Sequence, residues 1–188
     1  MADSIHLARW LEQFSDSDYT FEIVSSSPHR RVHPRIESLL DYDSTFHLGA
    51  LTRYLSLPFW IADRFFSDFF RGLLIAFVAS RFKPDLVHIF ESQNGGYAFL
   101  RALQMSRVLS VSQTILTPYG SDFYWFKGIP RHRRKLERLL SVVRYISAEC
   151  KRDETLATEI GFRGTFLPRI PASGGLTWPS AVAETNGR

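Results

Sequence analysis

The sequence predicts an α/β domain in which a parallel sheet is covered by helices on both faces. Short strand-like runs alternate with helical patterns of roughly 10 to 25 residues, as in βαβ units. The run Leu86–Phe90 is mostly apolar and β-branched, which is typical of a buried parallel strand. Hydrophobic residues make up 45% of the chain and charged residues 22%, a globular composition. Its 188 residues predict one domain over 1–170, followed by a linker or tail over 171–188.

The N-terminal part predicts one helix and two strands. Residues Ser4 to Phe14 repeat apolar side chains at helical spacing, and Ser4 is a suitable N-cap. Tyr19 to Val24 is predicted to be a strand, because a Ser-Ser-Ser-Pro sequence ends it. A further strand is expected at Ile36 to Leu40 or at Ser44 to Leu48.

A long helix is predicted from Pro58 to Phe82, with the proline at its start. Its core-facing side is expected to carry Phe59, Ala62, Phe66, Phe69, Leu73 and Phe77. Its other side carries Asp63, Arg64, Ser67, Asp68 and Arg71. The charge-free stretch inside it, Gly72 to Ser80, is shorter than the roughly 20 residues that span a bilayer. The alternative is that the rings, which lie beside arginines, also contact lipid.

The C-terminal part continues the alternation of helices and strands. The predicted helices are Gly95 to Arg107, Pro130 to Leu140 and Lys151 to Ile160, the last ended by Gly161. The predicted strands are Gln113 to Thr117, Val142 to Ser147 and Gly164 to Pro168. Basic residues crowd the second of these helices, which indicates a solvated face or, alternatively, a contact with phosphate or a membrane surface.

The net charge and the single cysteine of the chain limit the classes of function that it can have. The net charge of +4 suits an anionic partner such as a nucleotide or a phospholipid, but is too weak to indicate nucleic acid. The single Cys150 excludes an internal disulfide and a cysteine zinc site, so a cytoplasmic location is expected. The N-terminus lacks the pattern of a secretory signal. Three histidines at 29, 33 and 47 are spaced too irregularly for a metal site, and no cofactor is expected.

Candidate site residues follow the predicted strands, where open α/β sheets bind their ligands. Glu91, Ser92, Gly95 and Gly96 come after the strand Leu86–Phe90, and the sequence Gly120-Ser121-Asp122 comes after the strand at 113–117. The alternative is an ordinary βα turn. No nucleophile triad, Walker sequence or GxGxxG fingerprint is present. The residues therefore indicate group transfer by positioning and electrostatics.

Six short motifs together resemble the N-terminal half of family 4 glycosyltransferases. They are SIHLARW at 4–10, KPDLVHIFES at 83–92, TPYGSD at 117–122, ISAECKRD at 146–153, Ile160-Gly161-Phe162 and IPASGG at 170–175. The resemblance implies the GT-B arrangement of two facing Rossmann-like domains and transfer of a sugar, with retention, from a nucleotide donor. It also implies that the N-terminal domain holds the acceptor, whereas the C-terminal domain binds the nucleotide sugar and carries a Glu-x7-Glu motif.

The same resemblance implies which residues line the cleft between the two domains. They are His6, Glu91, Ser92, Gly120, Ser121, Asp122, Glu149 and Lys151. Many relatives have histidine where this chain has Tyr119. The expected partners are an acceptor, a nucleotide sugar and a C-terminal donor domain, without which the chain should be inactive. The alternative function is a free-standing module that docks a partner or the inner face of a membrane through its aromatic and basic helices.

Relatives begin with a short hydrophobic strand that lies centrally in the sheet, and only three residues precede Ser4 here. The expected consequence is a gap beside Leu86–Phe90 or direct pairing of the two flanking strands. Poor solubility is expected as well, because unpaired buried backbone groups each cost about 1–3 kcal/mol.

Overall fold

The computed structural model of the protein describes residues 4–15, 17–26, 31–119 and 121–169. The helices are α1 (Ile5–Glu12), α2 (Pro34–Tyr42), α3 (Ala50–Phe66), α4 (Phe69–Phe82), α5 (Tyr97–Leu103), α6 (Arg107–Val111), α7 (Ser121–Tyr124), α8 (Pro130–Val142) and α9 (Lys151–Ile160). The strands are β1 (Phe21–Glu22), β2 (Phe46–His47), β3 (Leu86–Phe90), β4 (Gln113–Thr117), β5 (Tyr145–Ile146) and β6 (Thr165–Phe166). A π-helical turn, Ser92–Gly96, precedes α5, and a 3-10 turn, Phe126–Gly128, precedes α8. The predicted tail, 171–188, lies outside the described residues.

The strands form two parallel sheets. Strand β1 pairs with β2, and strands β3, β4, β5 and β6 pair in that order. The longest ladder joins β3 to β4, from Leu86 opposite Gln113 to Phe90 opposite Thr117. The predicted α/β class with a parallel sheet is confirmed, and the architecture is Rossmann-like.

Strand β3 shows that helices cover both faces of the sheet. Successive side chains of a strand point to opposite faces. Ile89 packs into the larger core, which contains side chains from α4, α5, α8 and α9. Phe90 packs against the smaller core, formed by α1, α2, β1 and β2. The sheet therefore lies between two apolar layers, which is the arrangement that a parallel sheet requires.

The sheet is interrupted between β1 and β3, because no backbone pairing joins these strands within the described ranges. The indole of Trp10 lies at the interruption, with ring centroids 6.5 Å from Phe21 in β1 and 4.6 Å from His88 in β3. Burial lowers the pKa of His88 to about 4, so its imidazole is neutral at pH 7 in this aromatic cluster. The expected gap beside Leu86–Phe90 is therefore observed, and direct pairing of the flanking strands is not.

The prediction of one helix from Pro58 to Phe82 is wrong. Helix α3 begins at Ala50, so Pro58 lies inside it, and the chain breaks at Ser67 and Asp68. Both of these residues have positive φ angles, 49° and 66°, which a continuous right-handed helix excludes. Two helices therefore meet at a corner where a single straight helix was expected.

The predicted faces of this segment are wrong in large part. Four of the six residues expected in the core are exposed, namely Phe66 (56%), Phe69 (39%), Leu73 (44%) and Phe77 (40%), whereas Phe59 and Ala62 are half-buried. Of the polar residues expected on the outer side, Arg64 and Ser67 are exposed, but Asp63, Asp68 and Arg71 are buried. The physical reason is the ionic network described below, which requires these charged side chains on the inner side.

Other elements follow the sequence more closely. The Ser4 cap accepts the N–H of His6, and Gly161 ends α9 with a φ of 116°. The prediction of a strand at Ile36–Leu40 is wrong, since this segment lies in α2, whereas the alternative at Ser44–Leu48 contains β2. The predicted helix from Gly95 to Arg107 is divided, because Ser106 caps a separate helix, α6.

Gly96 packs directly against α8. A Cβ atom at this position would lie 2.4 Å from Cδ2 of Leu139, which is fully buried. We therefore expect Gly96→Ala to lower the free energy of unfolding by about 1–3 kcal/mol, measured by urea unfolding followed with circular dichroism. Gly128→Ala is the matched control, because a Cβ there has no atom within 4 Å, and its effect should stay within about 0.5 kcal/mol. Equal losses in both variants would contradict this packing.

Candidate functional site

Polar residues follow the ends of three neighbouring strands. Glu91 comes directly after β3, Tyr119 and Asp122 follow β4, and Glu149 follows β5. Since the three strands are parallel and adjacent, their carboxyl ends meet at one edge of the sheet. This edge is where open α/β sheets bind ligands.

Glu91 has an unusual backbone conformation. Its φ is 67° and its ψ is 133°, a combination that residues other than glycine rarely adopt. Its N–H donates to the carbonyl of Thr117 in β4, and its carbonyl accepts the N–H of Gly96 to close the π-helical turn. Such strain costs about 1–3 kcal/mol and is concentrated at functional sites.

Gly95 has a structural reason for being glycine. A Cβ there would lie 2.7 Å from the carbonyl oxygen of Phe90, so any side chain would push the turn away from β3. The close return of the chain places Asn94 beside Glu91, and the Asn94 amide donates to Oε1 of Glu91 at 2.6 Å. The turn thus fixes the direction of the Glu91 carboxylate.

Asp122 joins the turn after β3 to the turn after β4. Its Oδ2 accepts the N–H of Ser92 at 2.7 Å and the N–H of Tyr119 at 3.2 Å. Burial raises the pKa of the Asp122 carboxyl to about 6, and the negative charge of Glu91 adds to the increase. Asp122 therefore positions two backbone segments and is itself 1% exposed.

Tyr119 lies within electrostatic range of all three predicted carboxylates. Burial raises the pKa of its phenol to about 12, and the charges of Glu91, Asp122 and Glu149 each add to this increase. The ring of His6, from the first turn of α1, lies 6.2 Å from the Tyr119 ring. At neutral pH the phenol is protonated, and its hydroxyl is buried.

The structure brings most of the predicted site residues together. His6, Glu91, Ser92, Asp122 and Glu149 surround or support Tyr119, although Ser92 is fully buried and takes part through its backbone. Ser121 is exposed in the first turn of α7, next to this group. Lys151 is exposed at the start of α9, where its positive charge helps to lower the pKa of Glu154. Gly120 lies outside the described residues.

Sequence reasoning missed a buried ionic network beneath this site. Arg71 is 6% exposed, and its guanidinium contacts Asp63 (2.9 Å) and Asp68. The same group donates to the carbonyl of Ser26 at 3.0 Å and makes a longer contact, 3.4 Å, with Oδ1 of Asn94. Because the Asn94 amide also holds Glu91, the network reaches from α4 to the candidate site.

The network continues to helix α8. Lys135 donates to Oδ2 of Asp68 at 2.6 Å, and its ammonium lies 4.6 Å from the centre of the Tyr97 ring. The Tyr97 hydroxyl lies 3.1 Å from Nδ1 of His132. Burial raises the pKa of the Tyr97 phenol, and the charges of Asp122 and Asp68 act in the same direction. One face of the basic helix is thus tied to the α3–α4 corner.

Two signals in the sequence could have revealed this network. Ser67 and Asp68 interrupt an aromatic run with residue types that favour helix ends over helix interiors. Arg71 stands alone between Phe70 and Gly72, with apolar residues on either side. A single charged residue within an apolar run is as consistent with a buried side chain that pairs with opposite charges as with an exposed one.

The described residues contain no group of three or more His, Cys, Asp and Glu side chains arranged to hold a metal ion. A concavity with a volume of about 460 Å³ lies on α3, lined by Arg53, Tyr54, Leu57, Pro58 and Ile61, and none of these is a strand-end residue.

Comparisons with family models, with curated proteins and with solved structures found no match to this chain.

Removal of Arg71 should leave two buried carboxylates short of their partner. We expect Arg71→Met to lower the free energy of unfolding by about 3–5 kcal/mol in urea unfolding at pH 7. Arg64→Met is the matched control: Arg64 is exposed on α3 and lies over the Trp60 ring, so its loss should cost less than about 1 kcal/mol. Similar small losses in both variants would show that the network does not stabilise the fold.

Asp122 should make the protein less stable as the pH rises from about 4 to about 6. Its pKa is raised by folding from 3.8 to about 6, so the folded state binds more protons than the unfolded state in this window. The loss is complete above pH 6 and amounts to roughly 3 kcal/mol. Asp122→Asn can still accept both N–H groups, and we expect its stability relative to the wild type to improve by on the order of 2–3 kcal/mol between pH 4 and pH 7.

Urea unfolding at several pH values measures this difference. Asp85→Asn, at an exposed position before β3, is the control and should follow the wild-type curve. If Asp122→Asn also follows the wild-type curve across the whole range, the assignment of the titration to Asp122 is wrong.

Proposed function

We propose that this chain is the acceptor-binding, Rossmann-like domain of a retaining glycosyltransferase that resembles family 4. The observation that carries the proposal is the meeting of Glu91, Asp122 and Glu149 around Tyr119, at the ends of three adjacent strands. These residues come from three of the six motifs on which the resemblance depends.

The charge of the group favours an acceptor over a donor nucleotide. Three carboxylates near one phenol repel the phosphates of a nucleotide sugar. The carboxylates of Glu91 and Glu149 suit hydrogen bonds from neutral hydroxyl groups, and charge-assisted bonds of this kind are the stronger ones. A neutral, hydroxyl-rich molecule such as a sugar or polyol is therefore the acceptor class that suits the site.

Each residue has a distinct role in the proposal. Glu91 and Glu149 accept hydrogen bonds from acceptor hydroxyls. The Tyr119 hydroxyl is buried, so this residue supports the site from within the fold, at the position where many relatives have histidine. His6 contributes a second ring at the edge of the site. Asp122 and Asn94 act as positioning residues, because they hold the two turns and the Glu91 carboxylate.

The proposal assigns binding of the nucleotide sugar, and the catalytic groups, to a separate donor domain. The chain by itself is then expected neither to hydrolyse nor to transfer sugar from UDP- or GDP-sugars. A cytoplasmic location belongs to the same proposal. In the described part of the chain, no helix is both long and apolar enough to cross a membrane.

Binding of neutral glycans by the full chain tests the proposal. We expect weak binding to members of an array of neutral sugars and polyols, reduced at least about tenfold by Glu149→Gln, since a charge-assisted hydrogen bond is worth about 1.5–3 kcal/mol. Glu159→Gln is the matched control, because Glu159 is exposed on α9 and pairs with Lys127.

Two results would contradict the proposal. The first is an identical binding profile for Glu149→Gln and Glu159→Gln, which would show that the strand-end carboxylates do not bind the glycan. The second is turnover of a nucleotide sugar by the purified chain alone, which would contradict the division between two domains. The DNA that follows the codon of Arg188 supplies a further check: a second α/β domain with a Glu-x7-Glu motif is expected there, and its absence would favour the alternative of a free-standing binding module.

A further inference from the structure

Helix α3 has its polar and apolar sides reversed. Its buried residues are all polar: Thr52, Ser56 and Asp63. Its exposed side carries residues at intervals of three and four, in the order Leu51, Tyr54, Pro58, Ile61 and Phe65. A surface helix of a globular protein normally shows the opposite pattern. The exposed side of α3 therefore has the composition of a surface that contacts an apolar partner.

The exposed apolar surface continues onto α4. We define the aromatic face as Leu51, Tyr54, Ile61, Phe65, Phe66, Phe69, Leu73 and Phe77, whose exposed fractions range from 39% to 82%. Phe70 joins the two helices beneath it, because its ring lies 5.5 Å from Phe59 in α3 and 5.3 Å from Phe69 in α4. Contiguous apolar patches of this kind mark interaction surfaces.

The exposed charges on the two helices that carry the aromatic face, and on Lys83 just after them, all have the same sign. Residues 50–83 are fully described, and their exposed charged side chains are Arg53, Arg64, Arg81 and Lys83. The two acidic residues of this segment, Asp63 and Asp68, are buried. Arg64 lies over the Trp60 ring and Arg81 over the Phe77 ring, at 5.4 Å and 5.1 Å. Cations therefore lie directly beside the exposed rings.

Helix α8 adds further positive charge near the same corner. Its Lys135 is bound to Asp68, between α3 and α4. Arg131 and Arg138 lie four residues before and three residues after Lys135, on the same side of α8, and both are exposed. The electrostatic surface around the aromatic face is thus basic on more than one element.

We propose that the aromatic face docks this protein onto the surface of a bilayer that contains anionic phospholipid. The rings enter the boundary between headgroups and acyl chains, and the bordering cations attract lipid phosphates. Docking of this kind is peripheral and needs no spanning helix. The proposal is independent of the proposed glycan site, which uses other residues.

The charge pattern also argues against a second copy of this chain as the occupant. A two-fold dimer would bring the aromatic face against itself, and with it the same set of cations. Like charges at close range repel. Of the exposed cations on α3 and α4, Arg53 pairs with Glu37 of α2, and within the described part of the chain no ion pair joins Arg64 or Arg81 to a carboxylate. A bilayer with anionic phospholipid offers an apolar interior for the exposed rings and negative charge for the bordering cations.

Sedimentation of the full chain with vesicles tests the proposal. We expect binding to vesicles of phosphatidylcholine and phosphatidylglycerol, weak binding to phosphatidylcholine alone, and release at high salt. The double variant Phe65→Ser/Phe69→Ser should lower partitioning at least about tenfold, because each ring loses its apolar contact. Arg64→Glu/Arg81→Glu should lower it by a similar factor on anionic vesicles only.

Matched controls separate docking from general effects. Tyr42→Ser removes an 88% exposed ring from α2, and Arg163→Glu reverses an exposed charge between α9 and β6. Both should bind vesicles as the wild type does. The mutated side chains are exposed, and circular dichroism should show wild-type folding for every variant.

Three results of the vesicle experiment would overturn the proposal. These are no binding to anionic vesicles, equal binding to neutral vesicles, and binding that Phe65→Ser/Phe69→Ser leaves unchanged. A dimer in sedimentation velocity that this variant dissociates would assign the face to self-association and overturn it as well. Because glycan binding is measured separately, loss of one activity without the other shows which proposal has failed.

Discussion

One buried cation, Arg71, is the interaction on which the arrangement of this protein depends. Its guanidinium contacts Asp63 in α3, Asp68 at the corner, the carbonyl of Ser26 after β1, and Asn94 in the turn after β3. A buried charge is costly unless all its partners are present together. The single side chain therefore fixes the relative positions of segments that are distant in sequence.

The network also explains why the two proposed surfaces take the form they do. With Asp63, Asp68 and Arg71 on the inner side, the rings that alternate with them along α3 and α4 are left on the outer side. The same inner side holds Asn94, and through it the Glu91 carboxylate. One set of charges therefore both exposes the aromatic face and orients the strand-end group.

Hydrophobic periodicity was sufficient to predict the helices and strands whose apolar side faces the core. Strand β4 and helices α1, α8 and α9 follow directly from apolar spacing and from their end residues, such as Ser4 and Gly161. It failed for α3 and α4, because periodicity identifies an apolar side without stating which side faces the core. The direction was decided by the charge of Arg71, whose partners lie as far as 45 residues away.

The candidate site could be predicted from the sequence only in part. The rule that ligands bind at the carboxyl ends of parallel strands selects Glu91 and Asp122 from sequence, and the family resemblance adds Glu149. The central position of Tyr119 could not be derived, since it depends on how three turns close around one ring. Neither could the burial of Ser92, whose backbone rather than its side chain takes part.

The most direct test of the account is amide chemical-shift mapping of the full chain by NMR during titration with neutral mono- and disaccharides and polyols. We expect binding to shift the amides of three segments far apart in sequence: 91–96, 119–122 and 149–151. No shifts in any of these segments at saturating ligand, or shifts confined to α3 and α4, would contradict it.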